Sequence, residues 1–384
     1  MSKQRSRHAA RLFGIDASRA VVARRTGTEG YAFHLIRELI PLAEARGHRL
    51  RLYFSQAPPP DLFADAAHVE TVVIPFPRLW THARLGWELR RRPPDVFFTP
   101  AHVVPLTFKG RAVATVHDLG FRYFPEAHTR LQRGYLHWST QHNARRSVLV
   151  LADSNATKTD LSRLYDVEPG KIVVVYPGVD PSLAPLHDPD VLAGVQGKYG
   201  IVAPYLLYLG TLQPRKNLQR LVEAYVKSGV SQQLVLAGKA GWLSEPILQT
   251  VSNQATQIAL APDSGSIRLT GYVAAEDKAA LLSGATALLY PSLYEGFGFP
   301  ILEAQACGTP VLCADNSSQP EVAGEAALLA PAGDTQQIAV GIVRLVQDTS
   351  LRAKLVQDGL ANVRRFSWQR AAEEVMGVLE DACE

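Results

Sequence analysis

The chain has little cysteine. Its three cysteines, Cys307, Cys313 and Cys383, show neither CxxC spacing nor an even count, which excludes a disulfide framework and a cysteine-bound zinc. That usage points to a reducing, cytoplasmic compartment. No apolar run approaches the roughly 18 residues of a membrane helix; stretches such as 147–152 are short, so a membrane-spanning protein is excluded. The opening MSKQRSRHAARLFGID is basic but lacks an apolar stretch of signal-peptide length, so secretion by that route is not expected. There is no Gly-x-Ser-x-Gly elbow to support a serine hydrolase, no repeat of solenoid period and no low-complexity segment. What remains is globular: 384 residues, 47% hydrophobic and 20% charged, at ~150 residues per domain, read as two domains.

The net charge of +4 hides an asymmetry. Residues 1–180 carry 26 Lys and Arg against 16 Asp and Glu, and the remainder carries 14 against 20. A basic first half suits an anionic partner such as a membrane surface or a phosphorylated substrate. The densest basic stretch, 78–92 (RLWTHARLGWELRRR), interleaves Trp80, Leu85, Trp87 and Leu89, which read either as a core stripe or as an interfacial face.

Short β-branched and apolar runs alternate with stretches of helical period, the pattern of α/β class with parallel sheets. In the first half strands are expected at 12–16, 49–54, 69–75, 95–99, 112–117, 148–152 and 172–176, with helices at 31–46, 129–145 and 156–165. Pro177, Pro181, Pro185 and Pro189 then interrupt regular structure, as an interdomain linker would. A second series follows, with strands at 205–209, 233–237, 267–269 and 287–290, a helix from Asn217, and alternation to about Leu329. Two open sheets place ligands at the carboxyl ends of their strands, which puts the expected crevice between the domains.

Two segments carry chemistry. In YPSLYEGFGFPILEAQACG a strand ends at Tyr290, a loop carries Glu295, Gly296, Phe297 and Gly298, and a helix begins near Pro300 with Glu303 inside it. Glycines admit close backbone approach, helix-start amides attract phosphate, and carboxylates accept hydrogen bonds from sugar or ribose hydroxyls. In GTLQPRKN, Gly210 and Pro214 shape a turn, and Arg215 and Lys216 precede Asn217, a good N-cap type. Two cations at a helix start oppose its dipole, so they need either open solvent or an anion such as a diphosphate.

The series YLGTLQPRKN, LVLAGKAGW, IRLTGY and LLYPSLYEGFGFPILEAQACGTPVLC resembles glycosyltransferase family 4, and the likeness covers nearly the whole chain. The resemblance implies a GT-B architecture of two Rossmann-like domains with parallel sheets facing across an interdomain cleft. The implied parts are an acceptor-binding domain over 1–180, a linker over 181–204, a nucleotide-sugar domain over 205–365 and a final helix over 366–384 crossing back. It implies that Glu295 contacts the donor sugar and Glu303 the ribose hydroxyls. Arg215 and Lys216 would hold the diphosphate, with the amides of Gly296, Phe297 and Gly298 facing sugar or phosphate. Gly271 and Tyr272 would pass the base, and Gly210 shapes the cation loop. TVHDLGFRYFPEAH resembles the His-Asp segment of mannosyltransferase-like members, with His117 at the donor sugar near the reacting carbon. RRTGTEGYAFHLIREL resembles the loop that approaches phosphates and acceptor; Gly27 and Tyr31 are retained, whereas Glu29 stands where the second glycine is usual.

The implied function is a retaining, metal-independent hexosyltransferase, taking GDP-mannose in preference to UDP-glucose-type donors and serving a saccharide or lipid-linked acceptor in polysaccharide or glycoconjugate assembly. No cofactor is expected, the nucleotide sugar being a substrate. Asp188-Pro-Asp190 has the form of a metal-binding DxD but lies in the proline-rich linker, where aspartates start turns or cap helices, and is assigned no metal. Front-face attack, in which the departing phosphate takes the acceptor proton, needs no enzyme nucleophile, and closure about 177–204 would exclude water. Nucleic acid is not an expected partner; peripheral association with the inner membrane face through the basic half is. The alternatives are a GT-B sugar-nucleotide epimerase or phosphorylase, or a two-lobed sugar-binding protein.

Overall fold

The computed structural model describes residues 9–22, 27–63, 65–76, 79–241, 243–259 and 265–384. The opening residues 1–8, residues 24–26 before Gly27, Arg78 of the basic stretch and Trp242 lie outside them. The chain divides into two compact units. The first takes 1–117, 134–178 and 367–384; the second takes 118–133 and 179–366.

The first unit is built on a seven-stranded parallel sheet of β1 (Leu12–Asp16), β2 (Arg49–Phe54), β3 (Val69–Val73), β4 (Val96–Thr99), β5 (Arg111–Val116), β6 (Leu149–Ala152) and β7 (Ile172–Val174), in the order β3-β2-β1-β4-β5-β6-β7. The second unit has six parallel strands, β8 (Tyr205–Leu209), β9 (Gln233–Ala237), β10 (Ile267–Gly271), β11 (Ala287–Tyr290), β12 (Val311–Ala314) and β13 (Leu328–Ala330), in the order β10-β9-β8-β11-β12-β13. Central strands are buried from end to end, as in β4, β8 and β11, because helices cover both faces of a parallel sheet. That double cover is why these segments read as continuous apolar runs.

The strand order reverses direction once in each sheet, between β1 and β4 and between β8 and β11. The register pairs Ala287 with Leu206 and Leu288 with Leu207, so β8 and β11 deliver their following loops side by side at one end of the sheet. Pairing of Phe13 with Val96 and Ile15 with Phe98 does the same for β1 and β4. Such switch points are where doubly wound sheets leave a crevice for ligands.

The proline-rich stretch is not wholly irregular. A helix, Pro189–Tyr199, starts on its last proline, with the Asp188 carboxylate accepting from the amides of Asp190 and Val191. Proline costs nothing in a first helical turn, whose amides lack partners anyway. The Asp188-Pro-Asp190 triplet is thus a helix cap. The final helix, Trp368–Asp381, lies in the first unit, where His34 stacks on Trp368 at 5.3 Å and Arg46 and His48 reach Glu380 at 2.7 and 2.9 Å. Over the described part of 78–92 the two readings divide. Trp80, Leu85 and Leu89 are core residues beside Tyr53, Phe97 and Phe108. Trp87 is half exposed between the guanidinium groups of Arg84 and Arg91, at 5.3 and 5.4 Å from its ring.

Candidate functional site

A cluster of charged side chains forms in the second unit at the β8/β11 switch. Residues 214–216 make a single 3-10 turn after β8, and Asn217 follows in the left-handed region at φ +61°. In that conformation Asn217 does not cap the helix Leu218–Ser228 with its side chain. Its amide instead donates to the carbonyls of Pro291 (3.0 Å) and Ala332 (2.7 Å), tying the β8 loop to the loop after β11. The main chains are also joined, Leu293 N donating to Arg215 O at 2.9 Å.

Both cations converge on Glu295. Lys216 Nζ donates to Glu295 Oε1 at 2.6 Å and to the Tyr290 hydroxyl at 2.5 Å. Arg215 Nη1 donates to Glu295 Oε2 at 3.1 Å and to the Tyr294 carbonyl, while Nη2 lies 3.9 Å from Asp118 Oδ2. Burial alone would raise the Glu295 carboxyl; the charges of Lys216 and Arg215 override it and hold it at about 2. Burial likewise pulls the Lys216 ammonium below its ordinary value against the opposing pull of Glu295. Arg215 is driven the other way: its burial is outweighed by Glu295 and then Asp118. The result is two largely desolvated cations sharing one carboxylate in a fixed arrangement.

The glycine loop is held from behind. Ser318 Oγ donates to the carbonyls of Glu295 (2.9 Å) and Phe297 (2.7 Å), Glu295 N donates to Ser317 Oγ at 3.0 Å, and Gln319 Nε2 donates to Ser292 O at 2.9 Å. Gly296 and Phe297 are buried in this loop, and Gly298 is the N-cap of the helix Phe299–Ala306. Glu303 sits inside that helix, its Oε1 accepting from Lys278 Nζ at 2.7 Å. Lys278 is half-buried, and although burial lowers its pKa, Glu303 carries it above the ordinary value.

Gly210, Gly238 and Gly271 stand at the ends of β8, β9 and β10, linked by Gly210 N to Ala237 O (2.9 Å) and Gly238 N to Gly271 O (2.8 Å). A Cβ on Gly238, at φ +148°, would lie 1.9 Å from the Gly210 carbonyl oxygen, so only glycine fits. Tyr272, directly after β10, is 43% exposed.

The segment 118–133 belongs to this unit although it follows β5 of the other. Asp118 Oδ1 accepts from Gly120 N at 3.0 Å, and a Cβ on Gly120 would come within 3.0 Å of Arg215 Cδ, so the missing side chain lets the guanidinium stem lie against this turn. Tyr123 stacks on Tyr294 at 4.9 Å.

In the first unit, His117 ends β5 with both ring nitrogens engaged: Nδ1 lies 2.7 Å from Asp153 Oδ2 and Nε2 lies 2.8 Å from the Pro100 carbonyl oxygen. Tyr31 meets the ring edge-on at 4.8 Å. Gly27 opens the helix Gly27–Ala45, and Glu29 in its first turn lies 3.6 Å from Arg19 Nη1. Of the sequence-derived residues, the structure brings Arg215, Lys216 and Glu295 into direct contact and places Gly210, Gly271, Tyr272, Gly296, Phe297, Gly298 and Glu303 on loops and a helix start of the same unit. His117 and Gly27 lie in the other unit. Sequence reading missed Asp118, Gly120, Gly238, Lys278, Tyr290 and Ser318. Asp118, Gly120, Gly238 and Tyr290 stood inside quoted motifs without a role; Lys278 and Ser318 stood outside them and follow from packing of distant segments.

Residues 25–183 match the family model described as Glycosyltransferase Family 4, and residues 201–361 match that described as Glycosyl transferases group 1. The chain is similar to O-antigen chain mannosyltransferase B of Escherichia coli, 33% identical over 304 residues that span 78% of this chain and 77% of that protein. It belongs to glycosyltransferase family 4. The family-4 chain is also 27% identical over 250 residues to a D-inositol 3-phosphate glycosyltransferase of a Nocardioides species, covering 61% of this chain and 54% of that one. In fold it is similar to sucrose-phosphate synthase from Thermosynechococcus elongatus, with TM-score 0.74, 20% identity and 97% and 98% of the chains covered. It is likewise similar to Anabaena Alr3699/HepE in complex with UDP and glucose, with TM-score 0.70, 20% identity and 97% and 99% covered. Two parallel-sheet α/β units of this kind are the GT-B architecture expected from the sequence.

Proposed function

We propose that this family-4 glycosyltransferase moves a hexose from a nucleotide sugar, GDP-mannose in preference to a UDP-glucose-type donor, to a saccharide or lipid-linked acceptor in polysaccharide or glycoconjugate synthesis. The observation that carries the reading is the convergence of Arg215 and Lys216 on Glu295 at the switch of the second sheet. Cleaving a glycosyl phosphate leaves negative charge on the departing diphosphate, and two desolvated cations stabilise that charge best as it develops. Mannose is favoured because relatives in Escherichia coli are named mannosyltransferases.

The reaction retains configuration. The acceptor oxygen bonds to the anomeric carbon on the face the diphosphate leaves, the bond to the phosphate oxygen breaks, and the acceptor proton passes to that oxygen. Glu295, held ionised by its two cations, serves as a partner for sugar hydroxyls and not as a covalent nucleophile. Glu303, kept oriented by Lys278, takes the ribose hydroxyls, and the Gly271–Tyr272 turn passes the base. No metal enters this proposal, since Arg215 and Lys216 supply the charge. His117, fixed by Asp153 and Pro100, positions the chain that leads into Asp118.

Among the described residues no helix is long and apolar enough to cross a membrane. Association with an anionic, cytoplasmic membrane surface is the companion proposal, supported by Trp87 between Arg84 and Arg91. Incubation with GDP-mannose and a mannoside acceptor in EDTA tests the main reading. It expects an α-mannoside product, identified by its anomeric NMR coupling, with GDP released only when acceptor is present. A β-linked product, or GDP release independent of acceptor, would overturn it.

A further inference from the structure

The helix Arg130–Arg146 packs the wrong way round for an amphipathic helix. From Gly134 onward it belongs to the first unit, where it buries Thr140, Asn143 and Ala144 and leaves Tyr135 and Trp138 outside, 51% and 36% exposed. Aromatic side chains hold the largest burial energy a helix has, so a helix that turns them outward is leaving them for something else.

The ring of Trp138 is flanked on several sides. His142 stacks on it at 5.4 Å and 18°, His82 meets it edge-on at 5.7 Å, and Tyr135 tilts against it at 5.8 Å. Leu106 N donates to His82 Nδ1 at 3.4 Å, and His142 Nε2 donates to the Val104 carbonyl at 3.0 Å. Each imidazole therefore has one nitrogen committed and the other left to define a donor on His82 and an acceptor on His142. Burial first, then the neighbouring charges of His142 and His102, hold His82 below its ordinary pKa. For His142 burial outweighs the Val104 carbonyl, and Arg146 adds to it. Burial thus favours the uncharged form of both rings. Next to them Arg19, whose charge is felt by Tyr135, donates to His102 Nε2 at 2.7 Å and is already matched by Glu29. Arg19 and His102 follow β1 and β4, the strands that flank the switch of the first sheet.

We propose that Tyr135, Trp138, His82 and His142 form a shelf that docks a neutral pyranose ring of the acceptor saccharide, with Arg19 and His102 beside it to meet hydroxyl groups. The inference rests on the reading of the acceptor as a saccharide. A pyranose offers a flat C–H face to an indole and vicinal hydroxyls to one donor and one acceptor. The charge near the shelf argues against the competing occupants: an anionic lipid or a phosphorylated sugar requires cations turned toward it, as around Trp87, whereas here Arg19 is matched by Glu29, Arg146 is engaged by the carbonyls of Phe108 and Gly110, and burial disfavours charge on both imidazoles.

Saturation-transfer NMR with α-mannotriose, without donor, tests the shelf separately from the transfer reaction. The wild-type protein should saturate sugar-ring protons, Trp138→Ala should lose the effect, and Trp138→Phe should keep part of it. In the transfer assay, Trp138→Ala and Tyr135→Ala should raise the acceptor KM about tenfold, the size of one aromatic contact, while the donor KM and the nucleotide-induced rise in Tm stay at wild-type values. No saturation of the wild type, equal saturation of wild type and Trp138→Ala, or binding to phosphatidylglycerol vesicles that Trp138→Ala abolishes would each overturn the proposal. Absence of any nucleotide-induced Tm shift in the wild type would count against the transferase reading instead, leaving the saturation result to judge the shelf.

Discussion

At the switch of the second sheet, β8 and β11 deliver Arg215, Lys216 and Glu295, the last two buried and the first partly so, interlocked within 2.6 to 3.1 Å. At the switch of the first sheet, β1 and β4 lead to a paired guanidinium and an imidazole, and nearby stand His82 and His142, whose burial disfavours protonation, with the exposed rings of Tyr135 and Trp138. The topology is the same and the chemistry is opposite. Desolvated charge suits a ligand whose charge changes during reaction, because a low-dielectric setting magnifies the interaction with a departing anion such as the proposed diphosphate. Neutral aromatic surface suits a ligand that has only to be held. The comparison teaches that a fold built from two similar sheets assigns chemistry by the residues that follow the strands, not by the sheets themselves.

The sharpest way to break the comparison is to strip charge from the second site. Lys216→Ala should lower kcat by about 100- to 1,000-fold, the range for losing one preorganised charge donor at a developing anion, and should destabilise the fold as well, since Glu295 loses a partner at 2.6 Å. A kcat within threefold of wild type would refute the role. Gly238→Ala follows: a methyl 1.9 Å from the Gly210 carbonyl should cost about 2–4 kcal/mol in a chemical-denaturation experiment. The same change at Gly134, which has open space around it and no positive φ, should be nearly silent.

Acid provides a third cut. The Glu295 carboxyl lies at about 2 when folded against an ordinary 4.5, so its stabilisation is fully present above pH 4.5 and is lost as pH falls toward 2. By linkage this amounts to roughly 3 kcal/mol. Urea titrations from pH 6 to pH 2.5 should show that loss in the wild type and a flatter profile in Glu295→Gln; parallel profiles would mean the carboxylate is not held by its cations. Glu303→Ala should raise the donor KM about tenfold with little change in kcat, because the part proposed for it is in binding and not in bond cleavage. Lys278→Ala should do the same, through the loss of the 2.7 Å contact that orients Glu303. The smallest effect is expected of the thiols. Burial pushes Cys307 up to about 12 and Cys313 higher still, so a thiol reagent at pH 8 should label neither in the folded protein within the time it labels free cysteine.

Much of the scaffold was legible in the sequence because parallel strands covered on both faces have no polar alternation to obscure them, as in YLLYL of β8 and ALLY of β11. Arg215, Lys216 and Glu295 were legible because each stands in a short loop directly after a strand. Lys278 was not, since nothing local marks a lysine at a helix start as the partner of a glutamate 25 residues away. Asn217 was read as a cap, and only its left-handed backbone shows that its side chain ties two loops together instead. The helix Pro189–Tyr199 was obscured by prolines that break helices everywhere except in the first turn, where Pro189 stands. The outward face of Tyr135 and Trp138 was illegible for a different reason: periodicity reports which residues share a face, not which face the unit buries.

The central claim is that the charged cluster of the second unit binds a nucleoside diphosphate without help from a metal. Calorimetric titration of GDP and UDP in EDTA, into wild type and Lys216→Ala, tests it most directly. The account expects wild-type binding with a Kd on the order of 10 μM for one base and at least a tenfold weakening in Lys216→Ala. Equal affinity in the two proteins, or no binding of either nucleotide to a folded wild type, would contradict it.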